Sequence, residues 1–337
     1  MKVFRCLFLF LSFLLIVSFV DTSKIDNSQE INFACGIIRE KLGNSNVLST
    51  EYLSGGDSGS RIFKIITPQN AYVAKFVKPY NISFLEEEKS ARILSDNGIG
   101  PKLYYSDQKN DLLIMSYIKP DPITISFRKS NDLYLKLSQI LEKIHSIPID
   151  PSIAKKNIFD DIARDANKVL NKSIDEETRK IILKTLNYCN SKKTKINFEK
   201  KICHCELHPG NLIFHENNFF VIDSTISESD PYYDIATVAI FWCFNKNNEE
   251  ILLKNYLKRE LTSEDLEKLE LFKNLVKFRY ALGSLIDCSS SDKLSINLNI
   301  NISLLDFLKS SQGIDSDEKK IQLASILLKS VNDSSKN

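Results

Sequence analysis

The stretch HCELHPGNLIF, residues 204–214, places an acid, two histidines and an amide in a loop that runs directly into apolar chain. A second apolar run, FFVID at 219–223, follows after a polar turn, so the two runs predict a β-hairpin. Asn211 stands at the start of the first strand and Asp223 at the end of the second. Because antiparallel pairing brings these two ends together, we expect both side chains at the same end of the hairpin. Glu206 lies in the loop that leads into this end.

An amide and a carboxylate at one end of a hairpin could hold the metal ion that phosphoryl transfer uses. Mg²⁺ prefers hard oxygen ligands, usually one or two carboxylates together with substrate phosphates, and Asn211 and Asp223 fit that preference. The reaction also needs a cation on the triphosphate and a carboxylate that orients the attacking hydroxyl. Lys75, in the strand-like run YVAKF with its side chain opposite in sense to its apolar neighbours, offers the cation. Glu206 offers the carboxylate.

A turn of small residues, LSGGDSGSR at 53–61, lies between two β-like runs upstream of Lys75. Backbone N–H groups in such turns approach phosphates closely, so Ser58 is a candidate phosphate contact. Each feature alone has a plainer interpretation, since a strand lysine between apolar residues is more often an edge residue. The joint and ordered occurrence of all these features favours a nucleotide site.

In these residues the chain resembles the superfamily of aminoglycoside phosphotransferases and choline/ethanolamine kinases, the small-molecule branch of the kinase-like fold. The family's loop has the form H-x-D-x-x-x-x-N, and here it spans residues 204–211 with Glu206 in place of the aspartate. The family's DPxxDLA element appears as DPYYDIA at 230–236, and ILSDNGIGPKLY at 93–104 is similar to the stretch after the N-lobe helix. The resemblance covers roughly residues 45 to 285.

The resemblance implies an α+β fold, bilobal and protein-kinase-like, with a small β-rich N-lobe and a larger, mainly helical C-lobe. It implies ATP as the phosphate donor and Mg²⁺ as the cofactor, with Asn211 and Asp223 as metal ligands and Lys75 on the α- and β-phosphates. Glu87, on the helix LEEEKSARIL, is the implied partner of Lys75, and Glu88 is the second choice.

Two further assignments follow from the same resemblance. Met115, Tyr117 and Ile118 fall in the hinge whose backbone meets adenine, so they join Lys75, Glu87 and Ser58 as candidate nucleotide contacts. Asp234 matches an acid that supports the catalytic loop, which is a structural role.

The departure from the family pattern is Glu206, which with Asn211 and Asp223 makes up the implied catalytic set. Glutamate keeps the charge but adds a methylene, which moves the carboxylate by ~1 Å, and a shift of that size costs about 10²-fold in rate. Two explanations stay open: a reshaped pocket in which Glu206 works, or a nucleotide-binding module that has lost catalysis. Because Lys75 and the metal ligands are kept, we favour an ATP-dependent phosphotransferase with an alcohol group as acceptor.

The acceptor is less sharply indicated. A protein substrate is disfavoured, because only STISES at 224–229 lies where a protein kinase has its activation loop. Glu228 and Asp230 would attract a cation, and Trp242 would face a quaternary ammonium, although the run ATVAIFWCF is also typical of a buried helix. We predict a small, hydroxyl-bearing, cationic acceptor, either choline- or ethanolamine-like or aminoglycoside-like.

Hydrophobic periodicity divides the chain into a β-rich part and a helical part. We expect a nucleotide-binding N-lobe at 23–118 and a helical C-lobe, with the catalytic loop and substrate site, at 119–337. Helices are predicted at 28–42, 83–98, 130–147 and 175–190 and over most of the chain after Tyr232. The polar stretch SSSDKLSINLNINIS at 289–303 predicts a surface loop or a partly disordered insertion.

Residues 1 to about 22 differ from the rest of the chain. Lys2 and Arg5 precede an apolar stretch, Cys6–Val20, and polar residues begin at Asp21. This is the pattern of a secretory signal peptide, and the stretch is short for a membrane span, which needs ~20 residues. We predict export through this segment. The alternatives are an uncleaved membrane anchor, which is the only membrane contact foreseen, and an unused segment that leaves the protein cytoplasmic.

Composition excludes one class of partner. The formal net charge is +2 and no basic run is dense enough for a phosphate-backbone tract, so nucleic-acid binding is not predicted. The cysteines after Cys6 form no CxxC pair, so neither a zinc ribbon nor a dithiol redox motif is indicated. Cys203 and Cys205 are expected to alternate along strand-like chain that enters the loop.

Overall fold

The structure is a computed structural model of the 337-residue chain. It describes residues 28–43, 46–53, 59–78, 83–194, 197–223, 226–289, 293–310, 314 and 316–334. The predicted signal segment and Ser58 lie outside the described residues. The chain forms two compact units: a sheet unit, which contains the described residues up to Thr124 and the segment Pro209–Thr225, and a helical unit, which contains Ile125–His208 and the chain from Ile226 onward.

The sheet unit is built on a five-stranded antiparallel sheet with the order β1-β2-β3-β5-β4. The strands are β1 Ser49–Tyr52, β2 Arg61–Ile66, β3 Ala71–Phe76, β4 Leu103–Asp107 and β5 Leu112–Ser116. Two helices accompany them, α1 Ser28–Leu42 and α2 Phe84–Asp96. This confirms the predicted β-rich N-terminal part with its short helix at 28–42.

Side chains of alternate residues of β3 lie on opposite faces of this sheet. Ala74 packs with Ile38 of α1 in one apolar cluster. Leu113, the register partner of Lys75, packs with Phe84 of α2 in a second cluster. Because side chains alternate along a strand, Lys75 projects to the α2 side of the sheet. The sequence pattern thus sets the direction of the lysine before any contact is formed.

Helix α2 has a start and a stop encoded in its sequence. Ser83 accepts a hydrogen bond from the N–H of Glu86, whose side chain accepts from the N–H of Ser83, which is a capping box. The helix ends at Asp96, and Gly98 has φ +62°, a conformation that glycine adopts without steric cost. The predicted stop at this glycine is confirmed.

A β-hairpin from later in the sequence also belongs to the sheet unit. The 3₁₀ turn Pro209–Asn211 leads into β7 Leu212–His215, which pairs with β8 Asn218–Val221. The N–H of Val221 donates to the carbonyl of Ile99 at 2.8 Å. From its position in the sequence this hairpin was expected in the helical C-lobe, whereas it belongs to the sheet unit. Backbone hydrogen bonds, and not chain order, decide where a strand pair packs.

Gly100 lies where this hairpin meets the end of α2. A Cβ on Gly100 would stand 2.7 Å from the Cβ of Leu94 and 2.9 Å from the carbonyl oxygen of Val221. We expect Gly100→Ala to destabilise the protein by about 1–3 kcal/mol through overpacking, measured by thermal or denaturant unfolding. The matched control is Gly36→Ala in α1, where nothing lies within 4 Å and a gain of about 0.5–1 kcal/mol is expected. Equal effects of both substitutions would contradict the close approach.

The helical unit contains the remaining helices and two short strands. The helices are α3 Ile125–Arg128, α4 Asn131–His145, α5 Ile158–Leu170, α6 Glu176–Lys193, α7 Tyr232–Trp242, α8 Lys246–Leu257, α9 Ser263–Ile286, α10 Leu304–Ser310 and α11 Asp317–Ser334. The strands β6 Lys201–Cys203 and β9 Ser227–Ser229 pair with each other. The long helix α9 packs against α5, α7 and α11, and α4 packs against α8. The mixed α+β class with a mainly helical C-terminal part is therefore confirmed.

The structure adds detail to one local expectation and contradicts another. The stretch 289–303 has no regular structure over its described residues, yet Leu294 and Ile296 are buried, and Leu294 exchanges backbone hydrogen bonds with residues 173 and 175. The other described residues of the stretch are exposed or partly exposed, as expected for a surface loop, and Leu294 anchors that loop to the chain before α6. The strand that enters the catalytic loop ends at Cys203, because Cys205 has φ +64° and leaves the extended conformation.

The cysteines after the N-terminal segment behave largely as small apolar residues. All six described cysteines are free, and all except Cys243 are buried. Burial is the main influence on the pKa of Cys203 and Cys205, and it raises both well above the ordinary thiol value. Over the described part of the chain, none of the helices combines the length and the apolar character that a membrane crossing requires.

Candidate active site

Lys75 stands between two carboxylates inside the sheet unit. Its Nζ contacts Oε1 of Glu87 on α2 at 2.5 Å and also contacts Oδ1 of Asp223. The lysine side chain is 5% exposed, so its charge is compensated by these two neighbours and not by bulk water. Of the two glutamates that the sequence left open, Glu87 is the one that reaches Lys75. Glu88 instead pairs with Arg92 and accepts from Ser106.

Lys75 and its two carboxylate neighbours influence one another's pKa values. Burial alone would lower the pKa of Lys75, but Asp223 and Glu87 outweigh it and raise that pKa above its ordinary value. The pKa of Glu87 is raised chiefly by burial, and Lys75 opposes the shift. A buried lysine that stays protonated in this way is a fixed positive charge, which is what binding of a triphosphate requires.

Asn211 and Asp223 lie at the same end of the β7–β8 hairpin. Leu212 is the register partner of Val221, and the N–H of Ile222 donates to the carbonyl of Asn211 at 3.0 Å. Asp223 has φ +57°, in the left-handed region that aspartate and asparagine adopt more readily than other non-glycine residues. The ion pair to Lys75 is one of the contacts that hold Asp223 in place.

The donor atoms at this hairpin end fit a magnesium ion. The amide oxygen of Asn211 and the carboxylate of Asp223 are hard ligands of the type that Mg²⁺ takes alongside phosphate oxygens and water. Asn211 is 7% exposed and Asp223 has a side chain that is 31% exposed. The pair would hold the metal with one carboxylate, which leaves most coordination positions for water and phosphate.

The predicted hinge lies at the end of β5 and just beyond it. Met115 pairs with Val73 in the sheet, and the N–H of Tyr117 donates to the carbonyl of Ala71 at 2.9 Å. The backbone of Ile118 has no hydrogen-bond partner among the residues that the structure describes. Of the three predicted adenine contacts, Ile118 is therefore the one whose backbone donor and acceptor are not engaged by its own unit. Ser58, the predicted phosphate contact, is not described.

A buried aspartate shapes the start of the loop 204–211, the part of that loop that lies in the helical unit. Asp234, in the first turn of α7, is fully buried and accepts from the N–H groups of His204 and Cys205, both at 2.7 Å. These two bonds hold the turn in which Cys205 has positive φ. His145 adds a contact to Asp234 at 3.2 Å through Nε2, while its Nδ1 lies 2.9 Å from the hydroxyl of Tyr256. The geometry gives Asp234 the structural role that the resemblance implied.

His145, Cys203 and Asp234 lie close enough together to be considered as a metal site. The histidine, however, uses both ring nitrogens in hydrogen bonds to Asp234 and Tyr256. Burial and nearby acids also raise the pKa of Cys203, which keeps it in the thiol form that binds metals poorly. We therefore interpret these three residues as a buried structural cluster, in which Asp234 links His145 to the backbone of the loop.

Glu206 faces a cationic neighbourhood in the helical unit. Its Oε1 lies 3.3 Å from Nη2 of Arg279 on α9, and its side chain is 40% exposed. Burial alone would raise the pKa of Glu206, but the charges of Lys156 and Arg279 outweigh it and hold that pKa below its usual range. Glu206 is therefore an ionised, partly accessible carboxylate, which is the form needed to accept a hydroxyl proton.

The residues that suggested a cationic acceptor have partners of their own. Glu228 pairs with Lys200 at 3.4 Å, and Asp230 pairs with Lys268 at 2.9 Å. Trp242 is 5% exposed and ends the buried helix α7, in agreement with the plainer interpretation of ATVAIFWCF. The guanidinium of Arg128 lies 5.9 Å from the centre of the Trp242 ring. The chain thus already places a cation of its own against this tryptophan.

Sequence reasoning missed the residues that surround Glu206. Arg279 and Lys156 lie far from the loop in the sequence, and neither falls in a motif. Helix α5, which supplies Asp161 to this neighbourhood, lies in chain expected to be helical, but its bounds were not predicted. Its signal was present in an Asn157 N-cap and in apolar residues at helical spacing: Ile158, Phe159, Ile162, Ala166 and Val169.

The structure therefore describes two half-sites. The sheet unit carries Lys75 and Glu87 together with Asn211 and Asp223, and the helical unit carries Glu206 on a loop braced by Asp234. A model of the phosphotransferase enzyme family matches residues 50–272, a range that includes both half-sites. A search of curated proteins finds no match to the sequence.

Solved structures support the fold. Choline kinase LicA from Streptococcus pneumoniae superposes with a TM-score of 0.64 at 20% identity, over 90% of this chain and 99% of that one. Plasmodium vivax ethanolamine kinase gives a TM-score of 0.62 at 15% identity, over 92% and 89%. Aminoglycoside phosphotransferase APH(2")-IIa, in a ternary complex with streptomycin and ATP, gives 0.61 at 20% identity, over 79% and 92%. At these identities the likeness establishes the kinase-like fold.

Proposed function

The chain belongs to the phosphotransferase enzyme family, and we propose that it transfers the γ-phosphate of ATP to a hydroxyl group of a small molecule. The observation that carries the proposal is the contact of Lys75 with both Glu87 and Asp223. Kinases pair a strand lysine with a helix glutamate to hold the phosphates and place a metal-binding aspartate after a nearby strand. The described contacts reproduce this arrangement within one unit.

The proposed chemistry divides between the two half-sites. Lys75 would contact the α- and β-phosphates, while Asn211 and Asp223 would hold Mg²⁺, which when bound neutralises charge on the phosphate oxygens. Glu206 would accept a hydrogen bond from the acceptor hydroxyl. The hydroxyl oxygen forms a bond to the γ-phosphorus as the bond from that phosphorus to the β–γ bridging oxygen breaks. The hydroxyl proton passes to Glu206 and then to water, and ADP leaves with the electron pair of the broken bond.

We propose a small cationic acceptor of the choline- or ethanolamine-like or the aminoglycoside-like kind. Structural neighbours named for choline, ethanolamine and aminoglycosides all act on or bind amine-bearing compounds with hydroxyl groups. Because Glu228, Asp230 and Trp242 already have cationic partners in this chain, the acceptor's charge would have to be met elsewhere. A substrate panel should therefore first compare acceptors that carry a positive charge with uncharged acceptors.

One observation favours a second candidate function, a nucleotide-binding module without catalysis. The carboxylate at position 206 is a glutamate that already contacts Arg279, and an acid engaged in an ion pair is less available as a proton acceptor. The nucleotide half-site contains no corresponding change, since Lys75, Asn211 and Asp223 keep the residue types that nucleotide binding needs. The two candidates therefore share ATP binding and differ in phosphoryl transfer.

A substrate panel with labelled ATP separates the two candidates. Purified protein, with Mg²⁺ and γ-labelled ATP, is offered choline, ethanolamine, gentamicin, streptomycin and uncharged polyols of matched size. The proposed function predicts label in at least one acceptor, and the cationic proposal predicts that this acceptor carries an ammonium group. The Asp223→Asn variant serves as the matched inactive control. Binding of ATP without transfer to any acceptor would instead favour the non-catalytic module.

We also propose that residues 1 to about 22 export the protein as a cleaved signal peptide. The segment has a charged start at Lys2 and Arg5, an apolar stretch of signal-peptide length, and polar residues from Asp21 onward. Protein isolated from its native cell is expected to begin close to residue 23, as determined by N-terminal sequencing. Native protein that begins at Met1 and fractionates with the cytosol would contradict export.

A further inference from the structure

Glu206 is held by an arginine that lies mostly inside the helical unit. Nη2 of Arg279 lies 3.3 Å from Oε1 of Glu206, and the arginine side chain is 16% exposed against 40% for the glutamate. The partly exposed carboxylate of Glu206 is thus in contact with the largely buried guanidinium of Arg279. The contact joins one guanidinium nitrogen to one carboxylate oxygen, so it restrains the position of that oxygen.

Arg279 is flanked by residues of two other helices. Its Nε lies 3.9 Å from Oδ2 of Asp161 on α5, and its guanidinium carbon lies 5.7 Å from the centre of the Tyr233 ring on α7. Asp161 is in turn held by Nη1 of Arg164 at 2.7 Å. Asp161 is 7% exposed and Tyr233 is fully buried, so buried side chains enclose the guanidinium on these two sides.

We propose that Arg279 is a positioning residue that sets the carboxylate of Glu206 for the acceptor hydroxyl, and that Asp161 orients Arg279 for this task. The proposal rests on the proposed function, and it explains how a chain with glutamate at this position keeps an aligned carboxylate. Glutamate has one more rotatable bond than aspartate, so it samples more positions unless a contact selects one of them. An aspartate at position 206 would fall short of Arg279, so the contact is specific to glutamate.

The test is a double-mutant cycle on kcat with Mg-ATP and the acceptor found in the panel. Arg279→Met is expected to lower kcat by about 10- to 10²-fold, because a displacement of ~1 Å at the reacting group costs that much. The KM for ATP should change little, since Arg279 lies in the helical unit. In a Glu206→Asp background the same substitution should cost less than about threefold, because no contact remains to be lost. Arg279→Lys, which keeps the charge, should recover part of the rate.

The matched control is Lys277→Met on the same helix. Lys277 donates to Oγ of Ser330 on α11 at 2.9 Å, and its loss should leave kcat unchanged. If Arg279→Met fails to fold, Arg279→Lys and Asp161→Asn carry the test, and both should lower kcat more in the wild-type background than in the Glu206→Asp background. An active protein in which Arg279 variants lose the same factor in both backgrounds overturns the positioning role alone. A wild-type protein that phosphorylates no acceptor overturns the proposed function, and this inference with it.

Discussion

Asp223→Asn is expected to weaken Mg²⁺-dependent binding of ATP by about 10²-fold or more, since even indirect metal contacts are worth 10- to 100-fold. The substitution removes the charge that would hold the metal while keeping a residue type that tolerates the positive φ of position 223. Phosphoryl transfer should fall with it, because the triphosphate is no longer held in register with Lys75. Calorimetric titration with ATP, with and without Mg²⁺, measures the effect.

The matched control for this prediction is Glu206→Ala. Glu206 lies in the helical unit and contacts Arg279, whereas Lys75 and its two carboxylate partners lie in the sheet unit, so ATP affinity should be nearly unchanged. Asp223→Ala should resemble Asp223→Asn in binding and should also lose some stability, because alanine adopts positive φ less readily than asparagine. Equal losses of ATP affinity from substitution at 206 and 223 would refute the division into a nucleotide half-site and an acceptor half-site.

Glu206→Gln is expected to lower kcat by about 10²- to 10⁴-fold, the usual contribution of a positioned acid or base, with little change in ATP affinity. Glutamine keeps the shape of the side chain but cannot take the hydroxyl proton. An interaction formed mainly in the transition state affects kcat and kcat/KM together, so both should fall by a similar factor. Steady-state kinetics with the accepted substrate provides the measurement.

Glu206→Asp distinguishes an adapted pocket from a decayed one. If the Arg279 contact fits the pocket to glutamate, aspartate falls short of the hydroxyl and kcat should drop by about 10²-fold. If the glutamate is merely a poor replacement, aspartate should retain or raise the rate. Either change supports a catalytic role for position 206. Identical turnover by the wild type, Asp and Gln forms would remove that role and favour the non-catalytic module.

The features that the sequence predicted well are those with a local physical cause. Helix 28–42 follows from amphipathic spacing, and the end of α2 follows from a glycine that can adopt positive φ. The direction of Lys75 follows from the two-residue period of a strand. The choice of Glu87 over Glu88 followed from helical spacing, because neighbouring positions on a helix point about 100° apart and only one of them can face the sheet.

The features that escaped prediction depend on contacts between distant residues. The residues next to Cys205 in the sequence do not predict its positive φ. This conformation is stabilised by a hydrogen bond from the N–H of Cys205 to the carboxylate of Asp234. The pairing of Glu206 with Arg279 joins residues 73 positions apart and has no motif on either side. The burial of Leu294 and Ile296 was obscured by the polar residues around them, because a short connection needs only a few apolar side chains to be anchored.

The hydrogen bond from Val221 to Ile99 and the ion pair from Lys75 to Asp223 have a consequence for the order of synthesis. The ion pair spans 148 positions, and a ribosome that adds about 5–20 residues per second needs roughly 7–30 s to cover them. During that interval Ile99 lacks its hydrogen bond from Val221, and of its two carboxylate partners Lys75 has only Glu87. Closing so long a loop makes contacts of this kind slow to form. The sheet unit, although it comes first in the chain, therefore completes its folding only after the ribosome has passed the whole Ile125–His208 segment of the helical unit.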